Sequence, residues 1–125
     1  MLFKPIIEVR DKYVLVTHAE SEAGNREPTQ FAGELAEACD QAGIHRVLLD
    51  ERKLTYTVGN IFDLMGIGDK LLEDMLVFRF HRLACVPKPD QLDTARDFES
   101  VARNRGMNFR AFESMAAAEA WLTEE

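Results

Sequence analysis

A run of charged residues, 50–53, directly follows the apolar segment Val47-Leu48-Leu49. An apolar segment without alternation is typical of a strand that is buried on both faces. In open α/β sheets ligands bind at the carboxyl ends of the strands, so Asp50 is a candidate for the polar rim of a pocket. The alternative is that the charged run is a loop in solvent with no ligand to bind.

The histidines and cysteines do not form a recognisable catalytic or metal-binding pattern. His18, His45 and His81 lie in different predicted elements, and no two of them have the spacing of metal ligands. Cys39 falls on a predicted helix face and Cys85 in an apolar strand, so we interpret both as small buried side chains rather than nucleophiles. Nucleophile-elbow, dinucleotide and P-loop motifs do not occur in the sequence. We therefore predict a protein that is not an enzyme and has neither metal nor cofactor.

Length and charge narrow the class of protein further. The 125 residues have the length of a single domain, 1–125, and at 46% hydrophobic they can bury one sizeable core. The formal net charge of -7 argues against nucleic acid or an anionic membrane as the main partner. The cysteines lack CxxC spacing, which favours a reducing compartment. Because no apolar run resembles a signal peptide or a membrane span, we expect a cytoplasmic protein without an integral membrane segment.

Five segments have the composition of strands. The first two, 3–9 and 13–17, are joined by a short polar turn and should form an antiparallel hairpin at a sheet edge. The segments 47–50 and 83–86 lack alternation and should be central and parallel. A short alternating segment, 109–112, should lie at the side of the sheet.

Helices are predicted between these strands. The first begins at Pro28 and ends at Gly43, the second spans 58–75, the third lies between Asp90 and Gly106, and Ser114 caps a fourth. The order β-β-α-β-α-β-α-β-α predicts an α/β fold. It should be a single mixed, mainly parallel five-stranded sheet with helices packed on it.

The second predicted helix carries two apolar stripes about 100° apart. One sheet face can cover only one stripe well, so the other needs a different partner. The first stripe consists of Val58, Ile61, Phe62, Met65 and Leu72, and the second of Leu64, Ile67, Leu71 and Met75. We expect the second stripe to form a homodimer contact or to line an apolar pocket. Within the helix, Gly66 and Gly68 could mark a kink, a break or a close approach of another backbone.

Several segments together resemble a known family. They read VLLD at 47–50, LACV at 83–86, FESVARNRG at 98–106, NFRAF at 108–112 and AAEAWL at 117–122. Over nearly the whole chain the sequence is similar to SpoIIAA-like proteins, bacterial relatives of the STAS domain of anti-sigma-factor antagonists. The resemblance implies a STAS-like fold and a regulatory or binding module that acts through a protein partner, a second copy or a small apolar molecule. Because the fold is also likened to the lipid-binding CRAL-TRIO domain, the alternative is a carrier of a lipid-like molecule.

The resemblance also directs attention to two threonines. In the antagonists a phosphorylated Ser stands at the start of a helix, inside an Asp-Ser-x-Gly run. Here the corresponding junction, 56–60, reads YTVGN without Asp-Ser, and Thr55 and Thr57 are the nearby hydroxyls. Phosphate on Thr57 would be stabilised by a helix N-terminus. The alternative is that Thr57 is the N-cap residue and accepts a hydrogen bond from a free backbone N–H.

Overall fold

A five-stranded sheet forms the centre of this computed structural model, which describes residues 3–125. The strands are β1 (Ile6–Val9), β2 (Val14–Thr17), β3 (Ser21–Ala23), β4 (Arg46–Glu51), β5 (Leu54–Tyr56), β6 (Arg82–Pro87) and β7 (Phe109–Ala111). The α-helices are α1 (Glu27–Ala42), α2 (Ile61–Glu73), α3 (Leu92–Asn104) and α4 (Met115–Leu122). Short 3-10 helices, Leu76–Phe78 and Pro89–Gln91, precede β6 and α3.

The strand order β1-β2-β4-β6-β7 places the two apolar segments inside the sheet. β4 and β6 run parallel and pair from Arg46↔Arg82 to Glu51↔Pro87. β1 pairs antiparallel with β2 at one edge, and β7 pairs parallel with β6 at the other. The predicted mixed, mainly parallel five-stranded α/β fold is therefore confirmed.

The helices α1, α2 and α3 lie on one face of the sheet, and α4 covers the other. The parallel connections from β2 to β7 all step in the same direction across the sheet. Right-handed crossovers of this kind place their helices on the same side. Alternation along β4 separates the two cores, because Val47 packs towards α1–α3 whereas Leu48 packs with Ala118 and Leu122 of α4.

The second predicted helix begins later than its apolar pattern indicated. Asn60 is the N-cap of α2, and its side chain accepts hydrogen bonds from the backbone N–H groups of Phe62 and Asp63. The prediction that Thr57 caps this helix was therefore wrong. Gly68 marks a close approach of α3, since a Cβ there would lie 2.7 Å from Val101 Cγ1.

A second, two-stranded sheet was not predicted. Its strand β3 lies between the predicted hairpin and the first predicted helix, and pairs parallel with β5 from Ser21↔Leu54 to Ala23↔Tyr56. The pairing is extended by the backbone N–H of Thr57, which donates to the carbonyl of Ala23 at 2.8 Å. Strands of three residues are too short to carry a readable alternation.

Candidate functional site

A cavity of about 140 Å³ lies between the sheet and helices α1, α2 and α3. Its apolar wall is formed by Leu49, Leu83 and Phe109 of the sheet, Phe31, Ala32 and Leu35 of α1, Leu64, Ile67 and Leu71 of α2, and Ala95 and Phe98 of α3. The small sheet contributes Ala23, Leu54 and Tyr56 at one end. For comparison, an engineered cavity of about 150 Å³ lined by Leu, Ile and Phe binds benzene or xenon. The space is therefore large enough for a molecule built on one ring.

The sequence-predicted contact residues separate into two groups. Leu64, Ile67 and Leu71 are buried and line this cavity. Met75 does not line it: the residue is 60% exposed and adopts a left-handed backbone conformation just after α2. Asp50 does not line the cavity either. Its carboxylate forms a bidentate ion pair with Arg52, in which both contacts are 2.8 Å long.

Glu51, rather than Asp50, brings a carboxyl group to the cavity. Alternation along β4 puts Val47, Leu49 and Glu51 on the face that carries α1–α3. The Oε1 atom of Glu51 accepts hydrogen bonds from the Tyr56 hydroxyl and from Cys85 Sγ, the latter at 3.0 Å. We call these three side chains the Glu51 cluster. Sequence reasoning missed Glu51, although the period-two pattern after Val47 could have indicated it.

Gln91 fixes the position of Tyr56. Its side-chain carbonyl accepts from the backbone N–H of Tyr56 at 2.7 Å, and its amide nitrogen donates to the carbonyl of Leu54 at 2.8 Å. The residue is supplied by the short 3-10 helix before α3. One side chain therefore satisfies both backbone groups of β5 that face it, and holds the Tyr56 ring at the cavity.

Burial controls the ionisation of the Glu51 cluster. It raises the pKa of Glu51, and the hydrogen bonds from Cys85 and Tyr56 oppose this effect only in part. Burial also raises the pKa of the Cys85 thiol and of the Tyr56 hydroxyl. Because a nucleophilic cysteine requires a thiolate, this environment makes Cys85 inert. The cluster is suited to hydrogen bonding rather than to covalent chemistry.

His18 adds an uncharged imidazole to the same cavity wall. Its side chain is 7% exposed, and burial lowers its pKa despite the opposing charge of Asp50. Within residues 3–125, Nδ1 has no hydrogen-bond partner. The register of β2 on β4 ends at Val16↔Leu49, and two further residues lead to His18 and Glu51, so both reach the carboxyl end of the sheet.

The two threonines occupy positions outside any helix N-terminus. The Thr57 hydroxyl donates to the carbonyl of Ala23 at 3.2 Å and lies before the N-cap Asn60. The Thr55 hydroxyl accepts from Lys88 Nζ at 2.7 Å. The helix-terminus stabilisation expected for a phosphate on Thr57 is therefore missing, and phosphorylation of either threonine stays a prediction.

The outer face of α2 is apolar and exposed. Phe62 is 74% exposed, and Ile61, Met65 and Leu72 are also exposed. These four residues belong to the first stripe, whereas Leu64, Ile67 and Leu71 of the second stripe are buried. The helix α2 turns Leu64, Ile67 and Leu71 towards the cavity and its first stripe away from it.

The described residues contain neither a membrane-spanning helix nor a cluster of metal ligands. Across residues 3–125 no helix combines the length and apolar character needed to cross a membrane. In the same part of the chain, no three His, Cys, Asp or Glu side chains are grouped so that they could hold a metal ion.

Comparison with known proteins identifies the fold. No family model and no curated protein matches the sequence. One similar structure is that of an uncharacterised protein of the DUF3478 family from Shewanella loihica PV-4, which has a SpoIIAA-like fold. Its sequence is 20% identical, the match covers 98% of this chain and 96% of that one, and the TM-score is 0.58. The unphosphorylated anti-sigma factor antagonist SpoIIAA is 14% identical, with 85% of this chain and 100% of that chain covered and a TM-score of 0.47. The chain therefore has the SpoIIAA-like fold that its sequence implied.

Proposed function

We propose that this protein is a non-enzymatic, STAS-like binding module of the cytoplasm that holds a small apolar molecule in the cavity beneath α1–α3. The observation that supports the proposal is the cavity itself, which has an apolar wall and a few polar groups at one end. This combination is typical of small-molecule sites, in which apolar contacts give affinity and a few polar groups give orientation.

The chemistry of the polar end favours binding over catalysis. The Cys85 thiol and the Tyr56 hydroxyl both have a raised pKa, so neither is a ready nucleophile or base. His18 is uncharged and buried, and within residues 3–125 its Nδ1 has no hydrogen-bond partner that would orient the ring as a general base. A non-enzymatic role therefore accounts best for these side chains.

A carrier of a lipid-like molecule is the less favoured alternative. Pockets for molecules of drug size or larger occupy roughly 300–1,000 Å³. The cavity of about 140 Å³ is well below this range, so an acyl chain would require α2 or the small sheet to move away from the main sheet. A compact molecule needs no such movement.

Toluene is a suitable probe of the proposed function. At ten times its dissociation constant, a ligand that binds only the folded state raises the free energy of unfolding by about 1.4 kcal/mol. We expect toluene to raise the melting temperature of the wild-type protein and to shift the NMR signals of Leu49 and Ile67.

Two tryptophan substitutions on α2 provide the matched comparison. Ile67→Trp fills the cavity and should abolish the toluene effect, whereas Leu72→Trp adds the same ring on the exposed side and should preserve it. Absence of any toluene effect on the wild type, or an equal effect on Ile67→Trp, would contradict the proposal.

For a protein contact, we propose that two copies associate weakly through the outer face of α2. Its exposed apolar residues are Ile61, Phe62, Met65 and Leu72, and a cluster of exposed apolar side chains on one face is typical of a protein contact. A standard interface buries roughly 800 Å² on each partner. Four apolar side chains are far fewer than the roughly 20–30 residues that each partner contributes to such an interface, which supports a transient pair rather than an obligate dimer.

A further inference from the structure

Glu51 is the charged residue that lines the cavity, and within residues 3–125 it is the only one. Its Oε1 atom accepts from Tyr56 and Cys85, whereas Oε2 has no hydrogen-bond donor among the described residues. One oxygen of the carboxyl group is therefore satisfied by the protein and the other is available to a ligand.

No described cation forms an ion pair with Glu51. Arg52, the next residue, is already ion-paired with Asp50 through two contacts at 2.8 Å. Lys88 donates to Thr55 at 2.7 Å and lies 3.9 Å from Glu20. A carboxylate in a low-dielectric site without a counter-charge is costly, and residues 3–125 do not provide that counter-charge.

We propose that the ligand of this cavity is a small apolar amine, whose ammonium group binds Glu51 and whose hydrocarbon part fills the apolar space. The inference rests on the proposed function, because it names the class of molecule that the cavity takes. An ammonium group would donate to Oε2 and supply the missing positive charge. The remaining volume accommodates about one ring.

The surroundings favour a cation over the other small molecules of this size. The uncharged His18 does not compete as a cation, and the negative charge of Asp50 beside Glu51 is balanced by its ion pair with Arg52. The net charge of -7 attracts cations to the surface as a whole. An anion of the same size, such as benzoate, would meet Glu51 directly and be repelled.

Benzylamine, toluene and benzoate form a matched set of probes, since each has one ring and a single short substituent. We expect benzylamine to bind the wild-type protein roughly tenfold or more tightly than toluene, and benzoate not to bind, in NMR titrations near neutral pH. In Glu51→Gln the preference for benzylamine should fall to about onefold while the affinity for toluene is retained. Glu73→Gln, which removes an equal charge at an exposed position of α2, should keep the preference.

The outcomes separate the two proposals. If toluene binds as tightly as benzylamine, or if the preference survives in Glu51→Gln, the amine inference is overturned while the binding module stands. If no probe binds, the proposed function fails and the amine inference fails with it. Should Glu51→Gln not fold, the wild-type complex decides: a nuclear Overhauser effect between the benzylamine methylene and the Tyr56 ring supports the inference, and its absence overturns it.

Discussion

Two glycines in α2 offer a sharp test of how this helix is packed. A Cβ at Gly68 would lie 2.7 Å from Val101 Cγ1 and 2.9 Å from Arg105 Cδ, closer than real Cβ contacts, whereas a Cβ at Gly66 meets no atom within 4 Å. Both substitutions to Ala gain about 1 kcal/mol of helix propensity. Only Gly68→Ala also carries an overpacking cost of roughly 1–3 kcal/mol.

Because both variants gain the same helix propensity, the difference between their free energies of unfolding gives the packing cost at Gly68. Gly66→Ala should raise the free energy of unfolding by up to about 1 kcal/mol, and Gly68→Ala should lie roughly 1–3 kcal/mol below it in urea denaturation. For a chain of this length, each kcal/mol corresponds to a shift in melting temperature of about 4 °C.

A double-mutant cycle identifies the contact responsible. Val101→Ala removes the nearest atom, so its cost should be smaller in the Gly68→Ala background than in the wild type. If Gly66→Ala and Gly68→Ala are equally stable, α2 does not pack against α3 at this distance, and the cavity wall described above is misplaced.

Three other perturbations have defined outcomes. Because burial raises the pKa of Glu51 above its ordinary 4.5, its contribution to stability is complete below that pH and is lost as the pH rises through the folded-state pKa. Glu51→Gln should remove this decline in stability above pH 4.5 in urea denaturation, and an unchanged slope would refute the assignment. Because burial lowers the pKa of His18, the free energy of unfolding should fall as the pH drops below 6.5. His18→Leu should reduce this loss of stability at acidic pH, whereas His81→Gln, at an exposed site, should leave it unchanged. Equal losses in the two variants would count against the burial of His18. We expect the mass of the wild-type protein to rise with concentration in light scattering, and Phe62→Glu should abolish this rise. A wild-type mass that stays monomeric at millimolar concentration would remove the α2 face as a contact between copies.

The central strands could be predicted because their signal is strong and local. Residues 47–49 and 83–86 are apolar without alternation, and only a position inside a sheet with both faces covered satisfies such segments. The hairpin followed from two β-rich segments and a short turn. These features fix the strand directions, and right-handed crossovers then fix the side on which the helices pack.

Details that depend on tertiary contacts were not predictable in the same way. Both stripes of α2 are equally apolar, so the sequence does not distinguish the buried stripe with Leu64 from the exposed one with Phe62. The cap of α2 was misplaced because Thr57 and Asn60 are both good N-cap residues. The Glu51 cluster joins residues from β4, β5 and β6, and only the three-dimensional pairing of these strands brings them together.

Xenon binding tests the central claim most directly, because xenon needs only an apolar space of sufficient size. Diffraction from a crystal of the wild-type protein pressurised with xenon should show a xenon site between Leu49, Ile67 and Phe98, and the same experiment on Ile67→Trp should show none. A wild-type crystal in which this space is closed by side chains or filled with ordered water, with no xenon, would contradict the account.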